Sequence, residues 1–297
     1  MKRFLSVVIT MLAALFLFGQ PTMETPVSST ETYTDRRGTV YAIKPVSRIV
    51  SLGPTVTEGI CALGAEDKLV GRTDFCNWPE SVSAIPSIGG IINPSVEKII
   101  RLQPDLVIAS SMVGDDVYQA IQNAGIPAIS INKEGSFDGV FSFIHDLGLV
   151  IGKEKEAAAL EATMRSQLEE IQTTYQNAPK KRVYIAVAFG PYDATATGDT
   201  YMDEMITLAG GINVAKDGKN WMFTKEQLVL AKPDVVILMG QMNDGSDGQE
   251  ILSQWKATKP YGDLPAKVNV IDGDLIGRQG PRLVQAVAEL ARLIHED

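Results

Sequence analysis

One sequence pattern occurs twice in this chain, at residues 97–108 and again at 226–237. Each copy opens on a glutamate in a short amphipathic stretch, reaches a Pro-Asp pair, and continues into a run of mostly β-branched apolar residues. Proline cannot continue a helix, so the pair marks a helix end and the apolar run indicates a buried strand. The repeat therefore predicts two similar α/β lobes, and clefts between lobes are places where small molecules bind.

The N-terminus has the features of an export signal. Lys2 and Arg3 precede an apolar run from residue 4 to 18, which is shorter than the roughly 20 residues of a membrane span. We expect a signal peptide at 1–20, a polar tether at 21–32 and a periplasmic protein. The weak cleavage site leaves an uncleaved signal anchor open. No cysteine directly follows the apolar run, which disfavours a lipoprotein anchor.

Charge and metal-binding residue types exclude several functions. The formal net charge is −9, and it becomes −11 without the two cations of the signal, so nucleic acid is not an expected partner. The two histidines, His145 and His295, make no histidine-rich cluster for a bare transition metal, and we expect no metal site and no resident cofactor. Cys61 and Cys76 could form one disulfide or remain free thiols, and the sequence leaves both open.

The remaining chain divides at a segment with little glycine and no proline. We expect an N-terminal α/β lobe at 33–135, a linker helix at 136–178 and a C-terminal α/β lobe at 179–297. Apolar residues between 160 and 175 are spaced by three and four, which marks one buried helical stripe. A helix of up to ~24 residues after Gly152 would be about 35 Å long and could brace the two lobes.

Four motifs, in order and spacing, resemble the periplasmic substrate-binding proteins of ABC importers for cobalamin and iron complexes. They are Arg48-Ile-Val-Ser-Leu-Gly-Pro-Thr-Val-Thr-Glu58, Ile88-Gly-Gly-Ile-Ile-Asn-Pro-Ser-Val-Glu97, Pro104-Asp-Leu-Val-Ile108 and Gly280-Pro-Arg282. The resemblance implies an α/β fold of two Rossmann-like lobes with parallel central sheets, joined by one long rigid helix, with ligand in a shallow cleft between them. It also implies a non-catalytic monomer that delivers its ligand to an ABC permease in the inner membrane.

Glu97 and Glu226, which open the two copies of the repeat, match the family glutamates that dock onto arginines of the permease. A carboxylate in the first turn of a helix is also stabilised by the helix dipole, by about 0.3 to 1 kcal/mol, so one such position alone does not indicate docking. Two carboxylates at equivalent points of a repeat favour the docking role.

Nine further residues are candidate ligand contacts. A large planar or macrocyclic ligand needs rigid apolar surface edged with hydrogen-bonding groups, and aromatic residues from both lobes could sandwich it. The candidates are Phe75, Asn77, Trp78, Phe189, Tyr192, Trp221, Asp274, Arg278 and Arg282. Two alternatives stay open, namely that Trp78 caps the core and that Arg282 forms a salt bridge within its lobe.

The loop at 73–79 points to the ligand. It reads Thr-Asp-Phe-Cys-Asn-Trp-Pro and is similar to the aromatic loop of the cobalamin-binding branch, so we expect a small metal-containing organic ligand, first of all cobalamin or a related corrinoid. Ferric siderophore and haem are the alternatives, and Tyr192 or Tyr201 could ligate haem iron. Residues 110–112 depart from the cobalamin pattern, because Ser-Ser-Met stands where such a receptor can have a bulky aromatic residue.

An exported α/β enzyme is the alternative from another class, with Ser51, His145 and an aspartate as a triad. The sequence has no Gly-x-Ser-x-Gly elbow, His145 falls in a helical apolar pattern, and His295 lies in the last turn of the chain. We therefore expect no catalytic residues.

Overall fold

The computed structural model describes residues 31–109, 112–131, 135–242 and 248–296. The chain divides into two units, Met1–Glu31 and Thr32–Asp297, and the fold below is that of the second unit. The expected signal peptide and most of the expected tether lie outside the described residues. None of the helices in the described ranges combines the length and the apolar character needed to span a bilayer.

The N-terminal lobe is built on a parallel sheet. A small antiparallel hairpin of β1 (Thr32–Thr34) and β2 (Val40–Ala42) precedes it. The elements of the lobe are β3 (Ile49–Leu52), α1 (Pro54–Ala62), β4 (Leu69–Gly71), α2 (Val96–Arg101), β5 (Leu106–Ala109), α3 (Asp115–Asn123) and β6 (Ala128–Ser130). The sheet order is β4-β3-β5-β6, and each neighbouring pair is parallel. Successive residues of β5 face opposite sides of the sheet, so Ile108 joins one apolar cluster and Val107 another.

The segment expected as one linker helix contains two helices, α4 (Phe137–Ile151) and α5 (Glu154–Tyr175). Gly152 ends α4 in the left-handed conformation, which glycine adopts without steric cost, and α5 then packs back against α4. A Cβ on Gly148 would lie 2.5 Å from the Cβ of Ala157, so the helices approach closely there. The 22 residues of α5 correspond to about 33 Å, the expected length of the brace.

The C-terminal lobe is built on a second sheet. Its elements are β7 (Arg182–Ala188), β8 (Ala194–Thr195), α6 (Tyr201–Leu208), β9 (Ile212–Asn213), α7 (Lys225–Ala231), β10 (Val235–Met239), α8 (Gln249–Ala257), β11 (Lys267–Ile271), α9 (Gly273–Gly277) and α10 (Leu283–His295). The order is β11-β10-β7-β8, with β9 also beside β7, and all pairs except β7-β8 are parallel. The short strands β8 and β9 and the helix α9 were not expected from the sequence.

One apolar cluster connects the two lobes. It runs from α4 through Met164 and Leu168 of α5 to Val287 and Leu290 of α10, all of them buried. The helical stripe expected from the sequence is therefore the side of α5 that faces this core. The fold is confirmed as two α/β lobes with parallel sheets, and the numbered lobe boundaries stay a prediction.

In the first copy of the repeat, side-chain hydrogen bonds connect the end of a helix to the start of a strand. The Asp105 carboxylate accepts hydrogen bonds from the backbone N–H groups of Ser47 and Arg48 at 2.8 and 2.9 Å. The Arg48 guanidinium donates to the carbonyls of Leu102 and Gln103 just after α2. The Pro-Asp pair thus joins the end of α2 to the start of β3.

The second copy folds in the same way. The Asp234 carboxylate accepts a hydrogen bond from the backbone N–H of Arg182 at 2.7 Å, and the Arg182 guanidinium donates to the carbonyl of Ala231 at the end of α7. The residue before each Pro-Asp pair, Gln103 or Lys232, has φ of 46° or 45°. The repeat seen in the sequence is therefore a repeat of tertiary structure.

Candidate functional site

A cleft of about 430 Å³ lies between the two lobes. Its lining consists of Pro54, Phe75, Gly90, Ile91, Ile92, Asn93 and Met112 from the N-terminal lobe and Met242, Asp274 and Arg278 from the C-terminal lobe. Most of these residues follow the carboxyl ends of parallel strands, where α/β sheets bind ligands. The cleft therefore lies at the carboxyl-end edges of both sheets.

The cleft surface is mainly apolar. Phe75, Ile92 and Met112 on one lobe and Met242 on the other are exposed large apolar side chains. A contiguous exposed apolar patch in a concave site marks a binding surface. Methionine side chains adapt their shape to an irregular or bulky partner.

A buried ion network reaches the cleft through Asp274 and Arg278 and joins the lobes. Glu58 of α1 accepts from Arg278 Nη1 at 2.7 Å and from Arg282 Nε at 3.0 Å and Nη2 at 3.3 Å. The side chains of Glu58 and Arg278 are 2% and 3% exposed, so both charges are removed from water. Each of these two buried charges therefore has an ion-pair partner on the other lobe.

Two further predicted ligand contacts, Asn77 and Asp274, complete this network. Asn77 accepts from Arg278 and donates to Asp274, both at 2.7 Å. Asp274 also pairs with Arg278 at 2.8 Å, and the carbonyl of Phe75 accepts from the same guanidinium. With Arg282 included, the network contains two carboxylates and two guanidinium groups and is neutral as a whole. These predicted contacts bind one another, so their role towards a ligand stays a prediction.

Trp78 and Arg282 line a different cavity. The Arg282 guanidinium lies 4.5 Å from the centre of the Trp78 ring. Both residues border a cavity of about 370 Å³ next to α1, α5 and α10, which also includes Cys61 and Met164. Trp78 is half exposed and does not cap the core, and the ion pair of Arg282 with Glu58 joins the lobes instead of staying within one.

The other predicted aromatic contacts, all in the C-terminal lobe, are not among the described residues that line the cleft. Phe189 packs edge-on against Trp255, with ring centres 5.0 Å apart, and Trp221 packs against Tyr201 at 6.2 Å. Tyr192 is 86% exposed. The described lining of the cleft includes Phe75 and none of these three, so this arrangement does not support the aromatic sandwich, and the three contacts stay predictions.

Glu97 and Glu226 occupy equivalent positions on separate lobes. Each is the second residue of its helix, after the capping residues Ser95 and Thr224. Glu97 is exposed and lies 3.1 Å from Arg101. A hydrogen bond from its own backbone N–H and one with Thr224 hold the pKa of the Glu226 carboxyl below its ordinary value, so the group is charged at neutral pH.

The cysteines and the alternative triad show no reactive arrangement. Cys61 and Cys76 are both free, and burial raises the pKa of the Cys61 thiol to about 12. The Ser51 hydroxyl is buried and donates to the carbonyl of Gly53, whereas His145 pairs with the neighbouring Asp146. The structure therefore gives these residues separate structural contacts.

Several residues of the cleft and of the ion network were not predicted as site residues from the sequence. Glu58 lies inside one of the quoted motifs, yet nothing nearby indicates a partner 220 residues later in the chain. Ile91 and Ile92 also lie inside a quoted motif, and an apolar run in a glycine-rich loop could have identified them. Met242 follows β10 directly, and its place after a parallel strand was the available signal.

Two α/β lobes with parallel sheets and an apolar cleft between them form an architecture suited to binding a small molecule. The comparisons with known proteins agree. The model of the family described as "periplasmic binding protein" matches residues 49–267. The chain belongs to this family, and it is a substrate-binding component of an ABC transporter and not an enzyme.

Individual relatives support the same assignment. The ABC transporter substrate-binding lipoprotein YvrC of Bacillus subtilis, itself uncharacterized, is 36% identical over 86% of this chain and 82% of its own length. The vitamin B12-binding protein of Vibrio campbellii is 27% identical over 84% of this chain and 90% of its own. Among solved structures, the periplasmic heme-binding protein RhuT from Roseiflexus sp. RS-1 superposes with a TM-score of 0.72 at 26% identity, covering 84% and 98% of the two chains.

Proposed function

We propose that this protein captures cobalamin or a related corrinoid in the cleft between its lobes, in the periplasm, and delivers it to an ABC permease. The observation that carries the proposal is the character of the cleft, which is apolar and has its charged groups already paired with each other. A corrinoid offers a broad apolar macrocycle edged with neutral amides. Such a ligand needs apolar contact and a few hydrogen bonds, for which Asn93 is available on the lining.

The lining disfavours haem as the cargo. Haem iron is usually ligated by histidine, cysteine or tyrosine, or by methionine in some cytochromes. The described lining contains none of the first three, and the hydroxyl of Tyr201 donates to the carbonyl of Ile276 at 2.9 Å. The guanidinium of Arg278 is engaged by Glu58 and Asp274, so it is not a free cation for propionate groups. A complex whose own ligands already complete the metal's coordination suits this cleft better.

Delivery to the permease is supported by Glu97 and Glu226. Both carboxylates are exposed, and both lie in the first turn of helices that run into parallel strands, so they sit towards the carboxyl-end edges of the two sheets. A partner with two cationic side chains could contact both lobes at once. Reversing both charges should abolish transport and leave ligand affinity unchanged.

The identity of the ligand is tested by titrating the purified protein with cyanocobalamin, haemin and a ferric siderophore in turn. The visible absorption of the protein-bound fraction then shows which compound is retained. We expect retention of cyanocobalamin. Retention of haemin or the ferric siderophore alone would contradict the corrinoid assignment while keeping the transport class.

A matched pair of variants tests the cleft itself. Ile92→Ala removes an exposed apolar side chain of the lining, whereas Ile212→Ala removes one on β9 outside it. Burying an isoleucine side chain is worth about 1.5 kcal/mol or more, so Ile92→Ala should weaken binding about tenfold. Equal affinities of the two variants would place the ligand elsewhere.

A further inference from the structure

Each of the two helices that begin near the docking glutamates exposes an apolar β-branched side chain one turn further on. Ile100 of α2 is 44% exposed and Val229 of α7 is 41% exposed. Both stand three residues after the glutamate of their copy of the repeat. Residues three apart are neighbours on a helix surface, so each lobe presents a carboxylate beside an apolar group.

Core packing does not account for this exposure. The preceding residues, Ile99 and Leu228, are almost fully buried and provide the apolar contact of each helix with its lobe. The following residues are Arg101 in one copy and Leu230 in the other, so the two surfaces are not alike at every position. Ile100 and Val229 are therefore exposed apolar residues at matching positions on the two surfaces that carry the glutamates.

We propose that Ile100 and Val229 belong to two docking faces, each made of one glutamate and one apolar residue, that contact the permease. This inference rests on the proposed function, which assigns Glu97 and Glu226 to the same partner. The permease is inferred as the partner from charge complementarity and from the position of both faces beside the proposed docking glutamates. A partner surface that contacts both faces needs two cationic side chains, each beside an apolar pocket. Apolar contact at each face excludes water from the adjacent ion pair and strengthens it.

The two faces differ in one respect. Glu97 already pairs with Arg101, and both side chains are largely exposed. Exposed pairs of this kind are weak, so Glu97 can exchange Arg101 for a cation of the partner at little cost. Leu230, 79% exposed, enlarges the apolar part of the C-terminal face. The contribution of Val229 should therefore exceed that of Ile100.

The test is photo-crosslinking in cells that contain the full chain and its own importer. A photoreactive amino acid replaces Arg101 or Leu230, and mass spectrometry measures the adduct formed with an ABC permease subunit. The pair Ile100→Asn with Val229→Asn should lower this yield about tenfold, the effect of losing ~1.4 kcal/mol of contact. The control pair, Val40→Asn with Ile212→Asn, changes exposed apolar residues away from both faces and should keep the yield.

The other possible outcomes distinguish the apolar contact from the glutamate docking. If Glu97→Lys with Glu226→Lys removes the adduct and the asparagine pair does not, the apolar contact is wrong and the glutamate docking stands. If no permease adduct forms from the chain whose only change is the photoreactive residue, docking at these helices is wrong altogether. An equal loss of adduct in the control pair also overturns the apolar contact. Ile100→Thr with Val229→Thr replaces the asparagine pair, under the same criteria, if the latter lowers the melting temperature.

Discussion

Replacing Glu58 with glutamine should destabilise the protein far more than replacing an exposed glutamate. The Glu58 carboxylate accepts three hydrogen bonds from Arg278 and Arg282, and its side chain is 2% exposed. Glutamine has nearly the same volume, so Glu58→Gln changes the charge and leaves no cavity. In the variant, Asp274 remains paired with Arg278, and the positive charge of Arg282 loses the Glu58 carboxylate that compensated it.

The expected cost follows from the burial of the network. Breaking a buried ion pair by changing one partner costs about 3–5 kcal/mol, and we expect about 3 for Glu58→Gln because the amide oxygen still accepts one hydrogen bond. For a chain of this size, about 2–4 °C per kcal/mol gives a fall in melting temperature of roughly 6–12 °C. The control is Glu97→Gln, which breaks an exposed pair and should cost below about 0.5 kcal/mol.

Urea unfolding followed by tryptophan fluorescence measures these differences. A loss below about 1 kcal/mol for Glu58→Gln, within the range of surface pairs, would refute the view that the network is a desolvated link between lobes. A comparison of a double variant with its two single variants does not depend on the size of the loss in Glu58→Gln. Glu58→Leu combined with Arg282→Met should cost less than the two single changes added together, because Asp274 and Arg278 then remain as a neutral pair.

The remaining predictions concern the linker helices and the N-terminal hairpin. Gly148→Ala should lower the free energy of unfolding by about 1–3 kcal/mol, because its Cβ would meet Ala157 at 2.5 Å, and an unchanged melting temperature would contradict the close approach of α4 and α5. Burial alone would raise the pKa of Asp35, but hydrogen bonds from Tyr118 and the backbone N–H of Ser130 outweigh it and hold the pKa below its ordinary value. The stability this carboxylate gives the hairpin is complete above about pH 4 and is lost as the pH falls through the lowered pKa. The protection factors of the β1 and β2 amides, which correct for the slower intrinsic hydrogen exchange in acid, should therefore fall in that acid range. The same fall in Asp35→Asn would show that Asp35 is not its cause.

The sequence by itself determined the local structure and the two-lobe plan. The helix at Glu97 and the strand after Asp105 follow from a capping residue, a proline and an apolar run, all within a few positions of one another. The same signals recur at Glu226 and Asp234, so the duplication was visible before the fold was known. The long helix after Gly152 was also predicted, although the packing of α5 back against α4 was not.

Only the tertiary structure decided which side chains face the cleft and which join the lobes. Arg278, a predicted ligand contact, lies on the cleft lining and also pairs with Glu58 from the other lobe, whereas Trp78 lies beside Arg282 in a separate cavity. The physical reason is the distance along the sequence over which each kind of interaction acts. Helix ends and strands depend on neighbours in sequence, whereas a buried charge takes whichever partner the meeting of two lobes places within about 3 Å, and no local pattern encodes that distance.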